Sequence, residues 1–131
     1  MTGGTAGWLA PAPAMAVAVA AGLAAQVYLA GLAVFGAAPG WEAHRFFGGV
    51  LGIPIIGLAA YGWLDRRGGL YRRPAILLLL LYGLQVGLAG AGIGTQAAWI
   101  GALHPVNALA MLLAAADVLR RSAPKRFTPE S

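Results

Sequence analysis

Two histidines, His44 and His104, are the only ones in this 131-residue chain, and each follows the same short phrase. Gln26-Val27-Tyr28-Leu29-Ala30-Gly31 leads to Trp41 and then His44, while Gln85-Val86-Gly87-Leu88-Ala89-Gly90 leads to Trp99 and then His104. The chain reads as a tandem duplication with its imidazoles in matching places. Neutral imidazole is a nitrogen ligand for metals and a proton carrier near neutral pH. A matched pair at the ends of hydrophobic segments points to two axial ligands of one haem. Interfacial or hydrogen-bonding histidines without a cofactor, and a metal, quinone or proton-relay site, are the competing readings.

The elements that must position the pair are membrane spans. Hydrophobic residues make up 60% of the chain and charged residues 10%. Four uncharged apolar stretches stand out, at about residues 9–38, 46–64, 74–94 and 97–116, each long enough to cross a hydrocarbon layer of ~30 Å at ~1.5 Å per residue. The first carries no preceding Lys or Arg and no small-residue cleavage site, so it reads as a retained span. The expected fold is all-α: an integral membrane four-helix bundle, up-down-up-down, built from a tandem repeat of two helices. It occupies residues 1–121, and residues 122–131, with Pro124 and Pro129, form a cytoplasmic tail.

Nine basic residues set the expected orientation. Arg66, Arg67, Arg72 and Arg73 lie between spans two and three, and Arg120, Arg121, Lys125 and Arg126 follow span four, whereas the other two loops hold only Arg45. The positive-inside rule puts both termini in the cytoplasm and both histidines near the outer face. Trp41 and Trp99 then mark the outer interface, and Trp8 and Trp63 the inner one. The arginines sit where anionic headgroups lie, so the net charge of +5 calls for no nucleic-acid partner.

The chain has no cysteine, which excludes a disulfide, a thiolate-held iron–sulfur cluster and a covalently attached c-type haem. Any haem is held without covalent attachment. Spans two and four run in the same direction, so both histidines share a leaflet. His44 lies three residues after Trp41 and His104 five after Trp99, a depth difference of about 3 Å. From the basic end the count is less even: Asp65 comes 21 residues after His44 and Arg120 16 after His104, a mismatch of about 7 Å. Pro54 and Pro105 can bend or reset these helices.

A parallel duplication implies a pseudo-twofold axis along the membrane normal, with spans two and four on opposite sides of the centre. Gly48, Gly52 and Ala108 follow the histidines at helical spacing and leave room for a flat macrocycle, although close helix packing explains small residues equally well. Arg45 can reach haem propionates at the outer surface. Gln26 and Gln85 either orient the imidazoles and bond a haem edge or hydrogen-bond between helices, and Asn107 carries the same alternatives. Asp117 precedes Arg121 by four residues, the spacing of an ordinary ion pair.

The repeated Gln-Val-x-Leu-Ala-Gly, with Trp41-Glu42-Ala43-His44-Arg45 and Leu103-His104-Pro105-Val106-Asn107-Ala108, resembles one four-helix half of the haem A synthase type. It is also similar to a group of small four-span bacterial membrane proteins that share His-Pro-x-Asn-Ala. The resemblance implies a bundle in which His44 and His104 hold a b-type haem, in a bacterial inner (cytoplasmic) membrane. It further implies a carboxylate in a Glu-x-x-His-Arg phrase that serves oxidation of a haem methyl group. Here the phrase is one residue shorter, which turns Glu42 by about 100° on a helix. The outer-loop cysteine pair and second four-helix half of such enzymes are absent from this sequence.

The leading expectation is therefore a small membrane b-type cytochrome. Haem b is held non-covalently between spans two and four, and the protein serves as an electron-transfer subunit of a larger respiratory or photosynthetic complex. The alternatives are a cofactor-free scaffold or accessory subunit, and a haem-modifying enzyme in which Glu42 is catalytic. A homodimer is the other expected partnership, because the ancestral half-protein had to pair to enclose a macrocycle. The aliphatic run Ile76 to Leu81 suits lipid or a partner subunit.

Overall fold

The computed structural model describes residues 11–95 and 97–123. Trp8, the start of the first expected span and the tail beyond residue 123 lie outside them. α1 runs Pro11–Val34, α2 Gly40–Val50, α3 Gly52–Leu64, α4 Arg72–Gly94 and α5 Ala98–Ser122, with a 3-10 segment over Arg66–Tyr71. Four apolar spans result, because α2 and α3 together form one: Pro11–Val34, Gly40–Leu64, Gly69–Gly94 and Ala98–Ser122. At 24 to 26 residues each is about 36 to 39 Å long, enough to cross a bilayer. The chain is an all-α four-helix membrane bundle.

The span boundaries differ from expectation for local reasons. α1 stops four residues before Ala38 because Gly36, at φ 74°, closes it with a Schellman motif: the Ala37 N–H donates to Leu32 O at 2.8 Å and the Gly36 N–H to Ala33 O at 3.2 Å. A side chain at residue 36 would be strained in that left-handed conformation. Span two begins at Gly40 rather than residue 46, since Glu42 and Arg45 are carried on exposed helical turns rather than in a loop. α5 continues past Ala116 to Ser122, where Asp117 pairs with Arg120 at 3.1 Å and Arg121 at 2.8 Å along the helix surface.

That continuation removes most of the depth mismatch. His44 stands 20 residues before the end of α3 and His104 18 before the end of α5, so the two helices place their histidines at nearly the same height. The prolines leave separate marks. Pro54 has no N–H for Val50 O, and α2 and α3 meet there at Leu51, which keeps helical angles of φ −59° and ψ −23° and donates to Phe47 O at 2.9 Å. Pro105 sits inside α5, which remains unbroken.

Around the bundle α1 packs on α5 and on the α2–α3 span, and α4 packs on α5 and α3. The α1–α4 and α2–α5 pairs are therefore the diagonals, so His44 and His104 approach across the bundle centre. The buried apolar core lies towards the basic end: Ala12, Ala16, Val19 and Leu23 of α1 meet Leu51, Ile55 and Leu58, Ala75 and Leu78, and Met111, Ala114, Ala115 and Val118. At that end Arg72 stacks over Trp63 at 5.2 Å and donates from Nε to Gly62 O at 3.3 Å. The approach is close at Gly62, where a Cβ would lie 3.2 Å from Arg72 Cα and the backbone would have to give by a few tenths of an ångström. Towards the histidine end the helices open around a cavity.

Candidate functional site

The cavity holds about 400 Å³, within the size range of cofactor and small-ligand pockets. Its floor is the top of the core, formed by Leu23, Leu51 and Met111. Its polar lining comes from His44, Arg45, Gln26, Gln85, His104 and Tyr82, and Gly48 and Ala108 complete the walls one turn beyond each histidine. The sequence-derived site residues thus converge on one place, with two exceptions. Gly52 does not line the cavity: it is buried under Tyr82, whose hydroxyl would lie 2.8 Å from a Cβ built there. Glu42 is exposed on the first turn of α2 and is not part of the lining.

Each imidazole is fixed in the same way. His44 Nδ1 lies 3.1 Å from Gln26 O and His104 Nδ1 lies 3.1 Å from Gln85 O. A main-chain carbonyl only accepts, so Nδ1 carries a proton in both rings, and in the neutral form of each ring Nε2 is the nitrogen whose lone pair is open to a metal. The two copies of the repeat match in this one hydrogen bond. The glutamines orient the imidazoles through their backbones and not through their amides, which corrects the expectation from side-chain type.

The two amides have different fates. Gln85 Oε1 accepts from Asn107 Nδ2 at 2.6 Å, and Asn107 also donates to Leu81 O at 2.8 Å, so this glutamine takes the interhelical role. Gln26 lies against Gly48, and its Nε2 is buried without a hydrogen-bond partner. Tyr82 went unnoticed in the sequence. It stands three residues before Gln85, one helical turn away on the same face, and donates to Gly48 O at 3.0 Å.

The rings of His44 and His104 lie with centroids 6.0 Å apart and planes inclined by 56°. Trp41 packs edge-on against His44 at 5.6 Å. Two imidazoles bound end-on to opposite sides of one metal ion, at metal–nitrogen distances of about 2 Å, have centroids about 6 Å apart. Among the described residues no group of three or more His, Cys, Asp or Glu forms a metal-holding cluster.

A family model described as a family of unknown function, DUF6220, matches residues 26–95, more than half of the chain. The chain belongs to the DUF6220 family. No curated protein and no solved structure matches it. The DUF6220 match begins at Gln26, whose carbonyl receives the His44 proton, and takes in His44, Tyr82 and Gln85. His104 and Asn107 lie beyond it, in the second copy of the internal repeat.

Proposed function

We propose that this DUF6220 protein is a small membrane b-type cytochrome that holds one haem between α2 and α5 through His44 and His104. The observation that carries the reading is the paired, carbonyl-fixed imidazole geometry facing a cavity of cofactor size. A haem iron held by two imidazoles supplies one-electron redox chemistry and favours electron transfer over ligand chemistry. The chain's own contribution is to hold both Nε2 atoms free, to keep water from the floor with Leu23, Leu51 and Met111, and to set the cationic Arg45 beside His44 for an anionic propionate. Glu42, exposed and outside the cavity, offers no support for a haem-modifying role.

The basic residues favour cytoplasmic termini, with the cavity towards the outer face of a bacterial inner membrane. Electrons then have to come from a membrane partner, and we assign the protein to a larger respiratory or photosynthetic complex. The test is the visible spectrum of detergent-purified protein, oxidised and dithionite-reduced, beside His44→Ala and His104→Ala variants. A sharp reduced α band in the wild type, lost in each variant, is expected. A wild type that stays colourless after haem is supplied overturns the reading.

A further inference from the structure

The two halves of the repeat hold their histidines unequally. Asn107, one turn beyond His104, donates to Leu81 O at 2.8 Å and to Gln85 Oε1 at 2.6 Å. With the His104 bond to Gln85 O, three hydrogen bonds tie α5 to the stretch of α4 that orients the ring. The matching position after His44 is Phe47, an exposed ring that can form no such bond. On that side the amide Nε2 of Gln26 is buried without a partner.

The supporting helices differ as well. Each histidine-bearing span contains a proline that withholds a donor, Pro105 from Gly101 O and Pro54 from Val50 O, but α5 runs as one element from Ala98 to Ser122, whereas the His44 span divides at Leu51 into α2 and α3, with Leu51 itself still helical. Gly48 and Gly49 precede Leu51, and from α4 the Tyr82 hydroxyl holds them, 3.0 Å from Gly48 O and 3.4 Å from Gly49 O. Two adjacent glycines beside a proline site make α2 the more deformable of the two supporting helices, with α1 packed against it and His44 Nδ1 on Gln26 O as its other restraints.

We infer that His104 is the anchoring ligand of the pair and His44 the exchangeable one, carried on α2 as a strap that turns about Leu51 and is latched by Tyr82. The identity of the bound group rests on the haem reading, but the inequality of the halves is a property of the chain itself. His104 would be the residue engaged first, because Asn107 ties its helix to α4, and α2 would settle afterwards with His44 on Gln26 O and Tyr82 on Gly48 O.

Hydrogen–deuterium exchange on haem-free protein in detergent tests the strap without reference to any cofactor. Amides over residues 44–50 are expected to exchange at least about tenfold faster than those over 104–111, and Tyr82→Phe to speed the first stretch by about a further three- to tenfold while leaving the second unchanged. In haem-loaded protein, His44→Ala is expected to keep its haem through desalting and to regain a low-spin spectrum when imidazole is added, while His104→Ala loses most of its haem. Equal exchange in the two stretches, or better retention by His104→Ala, overturns the inference. Unequal exchange in a protein that takes up no haem upholds the strap and sinks only the cytochrome reading.

Discussion

His44 and His104 meet across the bundle centre with ring centroids 6.0 Å apart, although they lie 60 positions apart in sequence and on helices that occupy a diagonal of the bundle. Each is held at Nδ1 by a carbonyl at the equivalent point of a repeated phrase. The internal duplication is thus the device that builds a two-sided site from one short motif.

Asn107 is the clamp of the second half. Its replacement by Ala removes donors to Leu81 O and Gln85 Oε1 inside the membrane, at an expected cost of about 1 to 2 kcal/mol. A thermal midpoint in detergent that does not fall would show that these bonds contribute nothing net.

Gly52 and Tyr82 form a coupled pair. A Cβ at residue 52 would lie 2.8 Å from the Tyr82 hydroxyl, so Gly52→Ala is expected to displace the ring from Gly48 O and cost about 1 to 3 kcal/mol. In a Tyr82→Leu background the same substitution should cost clearly less, because the clashing atom is gone. Additive effects of the two changes, measured by a double-mutant cycle, would refute direct contact.

The Gln26 amide is expected to be expendable in the haem-free protein. Its buried, unpartnered Nε2 is a liability, so Gln26→Met should leave the melting temperature of the haem-free protein unchanged or raise it. A fall of several degrees on that substitution would mean that the amide has a partner in the folded protein.

The absence of native cysteine makes topology directly measurable. Phe35, exposed between α1 and α2, and Ala123, at the end of α5, can each be replaced by a single Cys. A membrane-impermeant maleimide is expected to label Phe35→Cys in intact cells and Ala123→Cys only after lysis. The reverse pattern would invert the assigned orientation and place the cavity on the cytoplasmic side.

The four spans and the pairing of the histidines were legible in the sequence because hydrophobic length and an internal repeat are written in residue types. Asp117 and Arg121, for example, announce their ion pair by spacing alone. The roles of Gln26 and Gln85 were not legible, since the working atoms are backbone carbonyls whose placement depends on how two helices cross. Span edges misled where charge was mistaken for a boundary: Glu42 and Arg45 lie within α2, and Arg120 and Arg121 within α5. Gly52 illustrates the remaining difficulty, because a small residue signals a close neighbour without saying whether that neighbour is a ligand or a tyrosine.

Main-chain orientation of both imidazoles has an evolutionary corollary. No point substitution at residues 26 or 85, short of one that moves the helix, deletes the carbonyl that fixes each tautomer. The glutamine side chains are consequently free to take different partners, as they do in the two copies, one bonded to Asn107 and one not. Sequence drift in this repeat can retune what surrounds the histidines while their pose is inherited with the backbone.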